Sequence, residues 1–308
     1  MIVVLTGGTG GAKLIEGLAA EIKSADLTII CNTADDCVFH GLHVSPDLDT
    51  ITYTLAGMID PAKGWGIKDD TFAALEQLRR LGADTWFKLG DRDLATHITR
   101  TRLFKEGHKL SAVTATICQM LGVEAKILPM SDDHVETRVN TPQGEISFQE
   151  YFVKYRWSPE VTALRFDGAE RACPGPGVIE AIEGAAAIIL CPSNPISSIG
   201  PILAVPGIRS TLTEASAPVV GVSPIIGTAA ISGPAHKLMT ACGKEASAFG
   251  VAQCYDDFLD RLIIDNEDKS LVRQIEKLHV EADLADIRMT SLADKRRLAS
   301  EVLALARK

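Results

Sequence analysis

Four short apolar runs recur along the chain, and each ends in a loop of small and polar residues. The runs cover residues 2–5, 27–31, 185–190 and 219–222. Continuous apolar runs of this length are typical of strands buried on both faces of a parallel sheet. In an open α/β sheet, ligands bind beyond the carboxyl ends of such strands. The recurrence therefore predicts an α/β protein with a doubly wound, mostly parallel sheet and one site along that edge.

The chain has 308 residues, enough for one large domain with an insert. We predict a single α/β domain over residues 1–308. Between residues 51 and 111 the apolar residues recur at near-helical spacing, for example Phe72, Leu75 and Leu78. This segment is predicted to be a smaller, mainly helical insert beside the active edge of the sheet.

Composition excludes several classes of protein. The net charge is −9 and no basic block is present, which argues against nucleic acid as a partner. Seven scattered cysteines without metal spacing are typical of reduced thiols in the cytosol. Met1 leads directly into the first strand, and no apolar run reaches the ~18 residues of a membrane span. We expect a cytoplasmic protein without membrane contact.

A glycine-rich turn follows the first apolar run, with Gly7, Gly8, Thr9 and Gly10 leading to Lys13 and a helical pattern. A strand, a glycine-rich turn and a helix N-terminus together present backbone N–H groups to a phosphate. The turn matches neither the Walker A loop nor the G-x-G-x-x-G fingerprint. The alternative is that the glycines do not bind a ligand and are present only because a tight turn requires a positive φ.

Carboxylates are concentrated after the second apolar run. Asn32, Asp35 and Asp36 follow the strand at once, and Asp47 and Asp49 come shortly after. In an extended segment Asp47 and Asp49 would project from one face and share a divalent cation. The alternative is that Asp and Asn only form the loop.

Other loops add polar and aromatic groups. Trp65 between two glycines is either a platform for a flat ring or a plug in the core. The segment 88–97 mixes Lys, Asp, Arg, Thr and His around a glycine turn, and is either part of a site or a capped, charged helix. The proline- and serine-rich loop 191–201 after the third apolar run offers hydroxyl and amide groups for a phosphate or a base edge.

A phosphate cradle beside a carboxylate cluster suits phosphoryl or phosphodiester transfer, which needs charge neutralisation and positioning. No G-x-S-x-G motif indicates a serine hydrolase. A dehydrogenase would end its second strand with a lone acidic residue, and here the residue is Asn32.

The motifs together resemble the 2-phospho-L-lactate transferase family of coenzyme F-420 biosynthesis. They are Gly-Gly-Thr-Gly at 7–10, Asn32 with the Asp pair at 35–36, Ser-Pro-Asp-Leu-Asp-Thr at 45–50, Trp65-Gly66, Lys-Leu-Gly-Asp-Arg-Asp at 88–93 with Ala-Thr-His at 95–97, Pro-Ser-Asn-Pro at 192–195 with Ser-Ile-Gly-Pro at 198–201, and Ser-Pro-Ile-Ile at 223–226. The resemblance covers residues 1 to about 265.

The resemblance implies a Rossmann-like core with a smaller, mainly helical part, assembly as a homodimer, and a Mg²⁺-dependent enzyme. Such an enzyme moves a 2-phospholactyl group from lactyl-2-diphospho-5'-guanosine to the ribityl hydroxyl of the deazaflavin Fo and releases GMP. Some bacterial members use a phosphoenolpyruvyl donor instead.

The resemblance also implies the site residues. For the nucleotide and phosphates they are Gly7, Gly8, Thr9, Gly10, Lys13, Asn32, Ser193, Asn194 and Ser197. For Fo they are Asp49, Thr50, Trp65, Lys88 and Arg92. For Mg²⁺ they are Asp35, Asp47 and Asp49, and for catalysis they are Asp47, Asp49 and Asp91.

Two alternatives from other classes stay open. A related group of regulatory nucleotide-sugar-binding proteins shares the Gly-Gly-Thr-Gly start, and an unrelated Rossmann oxidoreductase would bind NAD. Among the acidic residues, Asp49 is the main candidate to orient or deprotonate the acceptor hydroxyl. On the sequence alone, we expect Asp49→Asn to abolish transfer while the fold survives.

Overall fold

The four apolar runs are strands of one parallel sheet in the structure, a computed structural model that describes residues 1–307. The strands are β1 (Ile2–Thr6), β2 (Leu27–Cys31), β3 (Cys37–Phe39), β4 (Leu42–Val44), β5 (Lys126–Pro129), β6 (Glu136–Thr141), β7 (Gly144–Ser147), β8 (Ala163–Asp167), β9 (Ala187–Leu190), β10 (Val219–Val222), β11 (Ile225–Ile226), β12 (Ala229–Ala230), β13 (Arg261–Asp265) and β14 (Glu281–Ala285).

The α-helices are interspersed among these strands. They are α1 (Gly8–Glu21), α2 (Pro46–Leu55), α3 (Ala73–Arg80), α4 (Asp93–Lys105), α5 (Leu110–Met120), α6 (Val178–Glu183), α7 (Gly200–Ala204), α8 (Ile208–Thr213), α9 (Ala235–Ala241), α10 (Ala248–Ala252), α11 (Val272–Glu276) and α12 (Leu292–Leu305). Among the described residues, no helix combines the length and apolar character that crossing a bilayer requires.

The central sheet has the strand order β14-β13-β10-β9-β1-β2-β5, and all its neighbouring strands are parallel. The chain runs outward from β1 to β2 and β5, returns to β9, and continues outward to β14 on the other side. The direction of winding thus reverses between β1 and β9. This topology confirms the doubly wound, Rossmann-like prediction, and it places the expected ligand crevice at the carboxyl ends of these two strands.

Alternate residues of the strands enter two separate hydrophobic layers, because successive side chains of a strand point to opposite faces. In β1, Val3 and Leu5 pack with residues of α6, α7 and α8. Val4 packs on the other face with residues of α1, α2 and α12. The sheet is therefore covered by helices on both faces, which leaves its carboxyl edge as the exposed side of the strands.

Two smaller units flank that edge. The segment between β2 and β5 contains the β3–β4 hairpin and the helices α2 to α5, so the predicted insert at 51–111 holds α3 and α4. The antiparallel sheet β7-β6-β8 contains the hairpin formed by β6 and β7. Both units contribute walls to the cavity described below.

Helix α12 lies against α1 at a point where no side chain fits. A Cβ on Gly17 would lie 2.2 Å from the carbonyl oxygen of Lys295. The Nζ of Lys295 donates to Glu16 Oε2 at 2.6 Å beside this contact. Because α1 begins at the glycine-rich turn, the docking of α12 supports the helix that carries that turn.

We expect Gly17→Ala to lower the free energy of unfolding by about 1–3 kcal/mol, because the added methyl group must separate α1 from α12. Helix propensity alone would stabilise this variant by up to about 1 kcal/mol, so the sign of the change is diagnostic. Urea denaturation measures it. As a control, Ala20→Gly on the exposed side of the same helix should lower the free energy of unfolding only by the difference in helix propensity between the two residues. A Gly17→Ala protein as stable as wild type would contradict the close approach.

Candidate functional site

A cavity of about 480 Å³ opens at the carboxyl ends of β1 and β9. The glycine-rich turn forms one side of it, and the loop after β9 lies beside that turn. Helices α2 and α4 contribute acidic side chains. Aromatic residues from the segments 86–87 and 148–152 close the remaining walls. The cavity therefore occupies the crevice that the topology predicts.

The glycine-rich turn and the loop after β9 are packed so closely that only glycine fits. A methyl group on Gly7 would lie 2.7 Å from Asp47 Oδ2, and one on Gly10 would lie 2.6 Å from the carbonyl oxygen of Pro192. Ser193 Oγ donates to the carbonyl oxygen of Gly7 at 2.8 Å. Helix α1 begins at Gly8, so its N-terminus faces the cavity, where an anion is stabilised.

Asn32 holds two of the predicted carboxylates together. Its Nδ2 donates to Asp35 Oδ2 at 3.1 Å and to Asp47 Oδ2 at 3.0 Å, and its Oδ1 accepts from the backbone N–H of Ala34. Asn32 is fully buried and does not line the cavity. The structure thus gives Asn32 the role of positioning carboxylates.

The paired carboxylates have raised pKa values. Burial raises the pKa of Asp47 to about 6. Burial and the neighbouring charge of Asp47 raise the pKa of Asp35 well above its usual range. Asp35 Oδ1 has no hydrogen-bond partner among the described residues. Removing two nearby carboxylates from water is unfavourable unless a proton or a cation compensates them.

This pair fits a magnesium ion. Mg²⁺ in proteins is commonly bound by one or two carboxylates, with water and substrate phosphates completing the shell. Asp35 and Asp47 supply two carboxylates beside the phosphate cradle, and the buried Asp35 Oδ1 has no hydrogen-bond partner among the described residues that would compete with an ion. No group of three or more His, Cys, Asp or Glu side chains within residues 1–307 is arranged to hold a metal without such partners.

Asp47 and Asp49 do not project from one face, as had been expected for an extended segment. Pro46 is the first residue of α2, and Asp47 and Asp49 lie in its first turn, so the prediction of an extended segment is wrong. Proline and acidic residues are typical of that turn. Residues two apart on a helix do not face each other. Asp49 instead forms an ion pair with Arg100, with 3.0 Å between Nη1 and Oδ2.

A buried polar network continues from this ion pair. Arg100 Nη1 lies 3.2 Å from His97 Nδ1, and because a guanidinium only donates, Nδ1 accepts and the ring proton lies on Nε2. His97 Nε2 is 3.3 Å from Asp93 Oδ1, which also accepts from Tyr53 OH at 2.7 Å. The network fixes Asp49 and Asp93, both of which line the cavity.

Comparison with known proteins identifies the family. The family model described as "2-phospho-L-lactate transferase CofD" matches residues 2–300. The chain belongs to this family. It is 47% identical to the phosphoenolpyruvate transferase of Streptomyces griseus, with 99% of this chain and 98% of that protein covered. It is 43% identical to the 2-phospho-L-lactate transferase of Methanosarcina mazei, with 98% and 99% covered.

A solved structure supports the fold of this family member. The crystal structure of protein BH3568 from Bacillus halodurans matches with a TM-score of 0.66 over 98% of both chains. The two sequences are 17% identical, so the likeness concerns the fold alone.

Most residues predicted for the family's site line the cavity. They are Gly7, Gly8, Thr9, Gly10, Asp35, Asp47, Asp49, Thr50, Trp65, Lys88, Ser193, Asn194 and Ser197. Asn32 lies beneath its floor, and Lys13 does not line it. Asn194 also caps the following turn of π-helix through its Oδ1.

Asp91 and Arg92 are not brought to the cavity. Asp91 accepts hydrogen bonds from Thr71 Oγ1 and from the backbone N–H groups of Ala73 and Ala74, so it caps α3. Arg92 is exposed, and its Nη1 donates to the carbonyl oxygen of Lys68 at 3.3 Å. In this stretch the alternative of a capped, charged helix describes the two residues better.

Sequence reasoning missed several residues of the site. Arg100 lies behind the cavity lining as the partner of Asp49, and because it is one helical turn beyond His97, helical spacing was the available signal for it. Phe148, Gln149, Phe152 and Arg156 come from the segment after β7. The sequence of that segment has no motif, and it reaches the cavity through the packing of the small antiparallel sheet.

The ion pair changes the expected result of Asp49→Asn. The variant leaves the Arg100 guanidinium buried without a countercharge, so transfer should be lost and the free energy of unfolding should fall by about 3 kcal/mol. Urea denaturation and an activity assay check both effects. Asp84→Asn, at an exposed position, serves as the matched control. A wild-type unfolding curve for Asp49→Asn would contradict the buried pair.

The raised pKa of Asp47 predicts a pH effect in metal-free protein. Its folded pKa of about 6 exceeds the unfolded value near 3.8, so the protonated group stabilises the fold below pH 4. That stability is lost as the pH rises through 6, by an amount on the order of 3 kcal/mol. In EDTA, wild type should therefore lose stability relative to Asp47→Asn between pH 4 and 7. Parallel pH profiles would contradict this prediction.

Proposed function

We propose that the protein is a magnesium-dependent transferase that moves a three-carbon phosphoacid group from a guanosine-diphosphate-linked donor to the ribityl hydroxyl of the deazaflavin Fo, with release of GMP. One observation carries the proposal: a single cavity joins a phosphate cradle, a buried pair of carboxylates and an aromatic wall. Membership of the family and the names of its relatives support the reaction class.

The donor is assigned to the side of the cavity formed by β1 and β9. The turn 7–10 and the N-terminus of α1 would bind its diphosphate. Ser193, Asn194 and Ser197 would contact the phosphates or guanosine. Ser193 Oγ is already held by the backbone of Gly7, so the two loops form one preorganised surface.

Asp35 and Asp47 would hold Mg²⁺ beside the diphosphate, because Asp35 Oδ1 is unpartnered and the two groups share the amide of Asn32. The bound ion would neutralise charge on the phosphate oxygens during transfer. Asp49 is assigned to the acceptor and not to the metal, since Arg100 occupies its carboxylate.

The acceptor is assigned to the aromatic side. Trp86 and Phe87 line the cavity and pack against the buried ring of Phe39, with centroid distances of 5.0 and 5.5 Å. Trp65 is 37% exposed, so its ring is available to a flat heterocycle. Lys88 lies beside these rings at the cavity surface.

The reaction is a displacement at phosphorus. The acceptor hydroxyl oxygen forms a bond to the β-phosphorus of the donor, and the bond from that phosphorus to the oxygen of the GMP phosphate breaks. Asp49, which is held by Arg100 and lines the cavity, would orient the acceptor hydroxyl, and the hydroxyl proton is released to water. The protein takes little part in making or breaking bonds, so its contribution to the rate comes from orientation and charge neutralisation.

The donor is either the 2-phospholactyl or the phosphoenolpyruvyl compound, and relatives named for each are 43% and 47% identical to this chain. Incubation of the enzyme with Fo, Mg²⁺ and each donor in turn, with GMP measured as product, decides between them. The homodimer and the cytoplasmic location stay predictions.

Fluorescence titration with Fo tests the acceptor site directly. We expect saturable binding of Fo and none of FMN or NAD, in the presence of GDP and Mg²⁺. Binding of a nucleotide sugar without binding of Fo would instead favour a regulatory binding protein. Binding of NAD would favour an oxidoreductase.

Asp35→Asn tests the metal site. We expect at least a 100-fold lower rate of GMP release and a weaker response of GDP binding to Mg²⁺, because one of two carboxylate ligands is lost. Affinity for Fo should stay within about twofold, since Asp35 is held on the donor side by Asn32. Asp84→Asn is the control, and an unchanged magnesium dependence in Asp35→Asn would refute the assignment.

A further inference from the structure

Two side chains of Lys or Arg line the cavity among the described residues, Lys88 and Arg156. Arg156 forms no ion pair or hydrogen bond through its guanidinium within residues 1–307. Lys88 belongs to the aromatic side, beside Trp86 and Phe87. Arg156 comes from a different segment, and the reaction described above gives it no role.

The turn that carries Arg156 is held in place on both sides. The backbone N–H of Trp157 donates to the carbonyl oxygen of Tyr151 at 2.8 Å, and Tyr151 is fully buried. Lys237 Nζ donates to the carbonyl oxygen of Trp157 at 2.9 Å. The rings of Phe152 and Trp157 pack with centroids 5.2 Å apart. The guanidinium is thus presented from a fixed backbone.

The backbone of this turn is unusual for its residues. Arg156 has φ of 49° and Trp157 has φ of 46°, in the left-handed region that favours glycine. A glycine would adopt this turn with less strain, so the turn itself does not require an arginine. Strained positions of this kind cluster at binding sites, where the side chain is needed.

The segment lies between the two halves of the cavity. On the donor side, a Cβ on Gly233 would be 3.3 Å from the Phe152 ring, and Ser232 Oγ lies near the glycine-rich turn beside Gly10. On the acceptor side, Lys154 Nζ lies 5.7 Å from the centroid of the Trp86 ring. A group that passes from donor to acceptor occupies the space between these walls.

We propose that Arg156 binds the carboxylate of the three-carbon acid that is transferred. The inference rests on the proposed function and deepens it, because lactyl and enolpyruvyl donors both carry that carboxylate. A guanidinium matches a carboxylate with two parallel hydrogen bonds. The four acidic residues that line the cavity, Asp35, Asp47, Asp49 and Asp93, repel a carboxylate, so an unpaired cation is needed to admit it.

Steady-state kinetics with the natural donor and with the β-isopropyl ester of GDP test the proposal. The ester replaces the lactyl carboxylate by a methyl group. For wild type we expect kcat/KM to be at least about 30-fold lower with the ester. For Arg156→Gln we expect about the same loss with the natural donor, and no further loss with the ester. Affinities for GDP and Fo should stay within about twofold.

Three further variants separate the charge from the fold. Arg156→Lys keeps the positive charge but not the pair of parallel N–H donors, so its kcat/KM with the natural donor should lie between those of wild type and Arg156→Gln. Arg171→Gln removes an exposed guanidinium that does not line the cavity, and should behave as wild type. Arg156→Gly should unfold at the same or a higher denaturant concentration, because it relieves the positive φ, while losing as much donor discrimination as Arg156→Gln.

The outcomes are distinguishable. Discrimination against the ester that persists in Arg156→Gln would overturn the assignment, and so would an equal loss of GDP affinity, which would make Arg156 a phosphate ligand. If wild type transfers no group from either natural donor, the proposed function fails and this assignment fails with it. If wild type is active and Arg156→Gln is equally active, only the assignment fails.

Discussion

The sharing of one amide nitrogen by two carboxylates organises the active edge of this protein. Asn32 Nδ2 donates to both Asp35 and Asp47, and so joins the end of β2 to the first turn of α2. Asp47 and Ser198 leave no room for a side chain on Gly7, whose Cβ would lie 2.7 Å from Asp47 Oδ2 and 2.8 Å from Ser198 Cβ. The phosphate cradle and the candidate metal ligands are therefore one packed unit. Two buried acidic groups in such a unit lower the local stability of the fold unless a cation is bound. Ligand binding and local stability are therefore linked.

The sheet and much of the cavity were accessible from sequence because they depend on local patterns. Continuous apolar runs such as residues 219–222 predict buried parallel strands, and the small polar residues after them mark the ligand edge. The general rules for connecting strands in α/β folds predict the order of the strands only approximately. The arrangement of Asp49 was not accessible, because its partner Arg100 lies 51 positions away on another helix. Asp91 was predicted to be a catalytic acid, but in the structure it caps a helix. The two roles look alike in sequence.

The aromatic and basic residues of the segment 148–157 show why part of the site escapes any local pattern. Their contribution depends on how the small antiparallel sheet packs against the main one, which is a property of tertiary structure. Phe148 and Phe152 stack at a centroid distance of 5.6 Å, and both line the cavity. Arg156 then enters the cavity from a turn that no sequence motif predicts. Such loop positions are where enzymes of one fold differ in what they accept.

The hydrogen bonds between Gly7 and Ser193 join residues 186 positions apart in the chain. During synthesis from the N-terminus, the first three strands of the main sheet emerge long before β9 can insert beside β1. The nascent chain therefore carries its acid cluster with one side of β1 unpaired, and contacts of such long range form late because closing the loop is entropically unfavourable. Secondary structure should return well before ligand binding when the unfolded protein is allowed to refold.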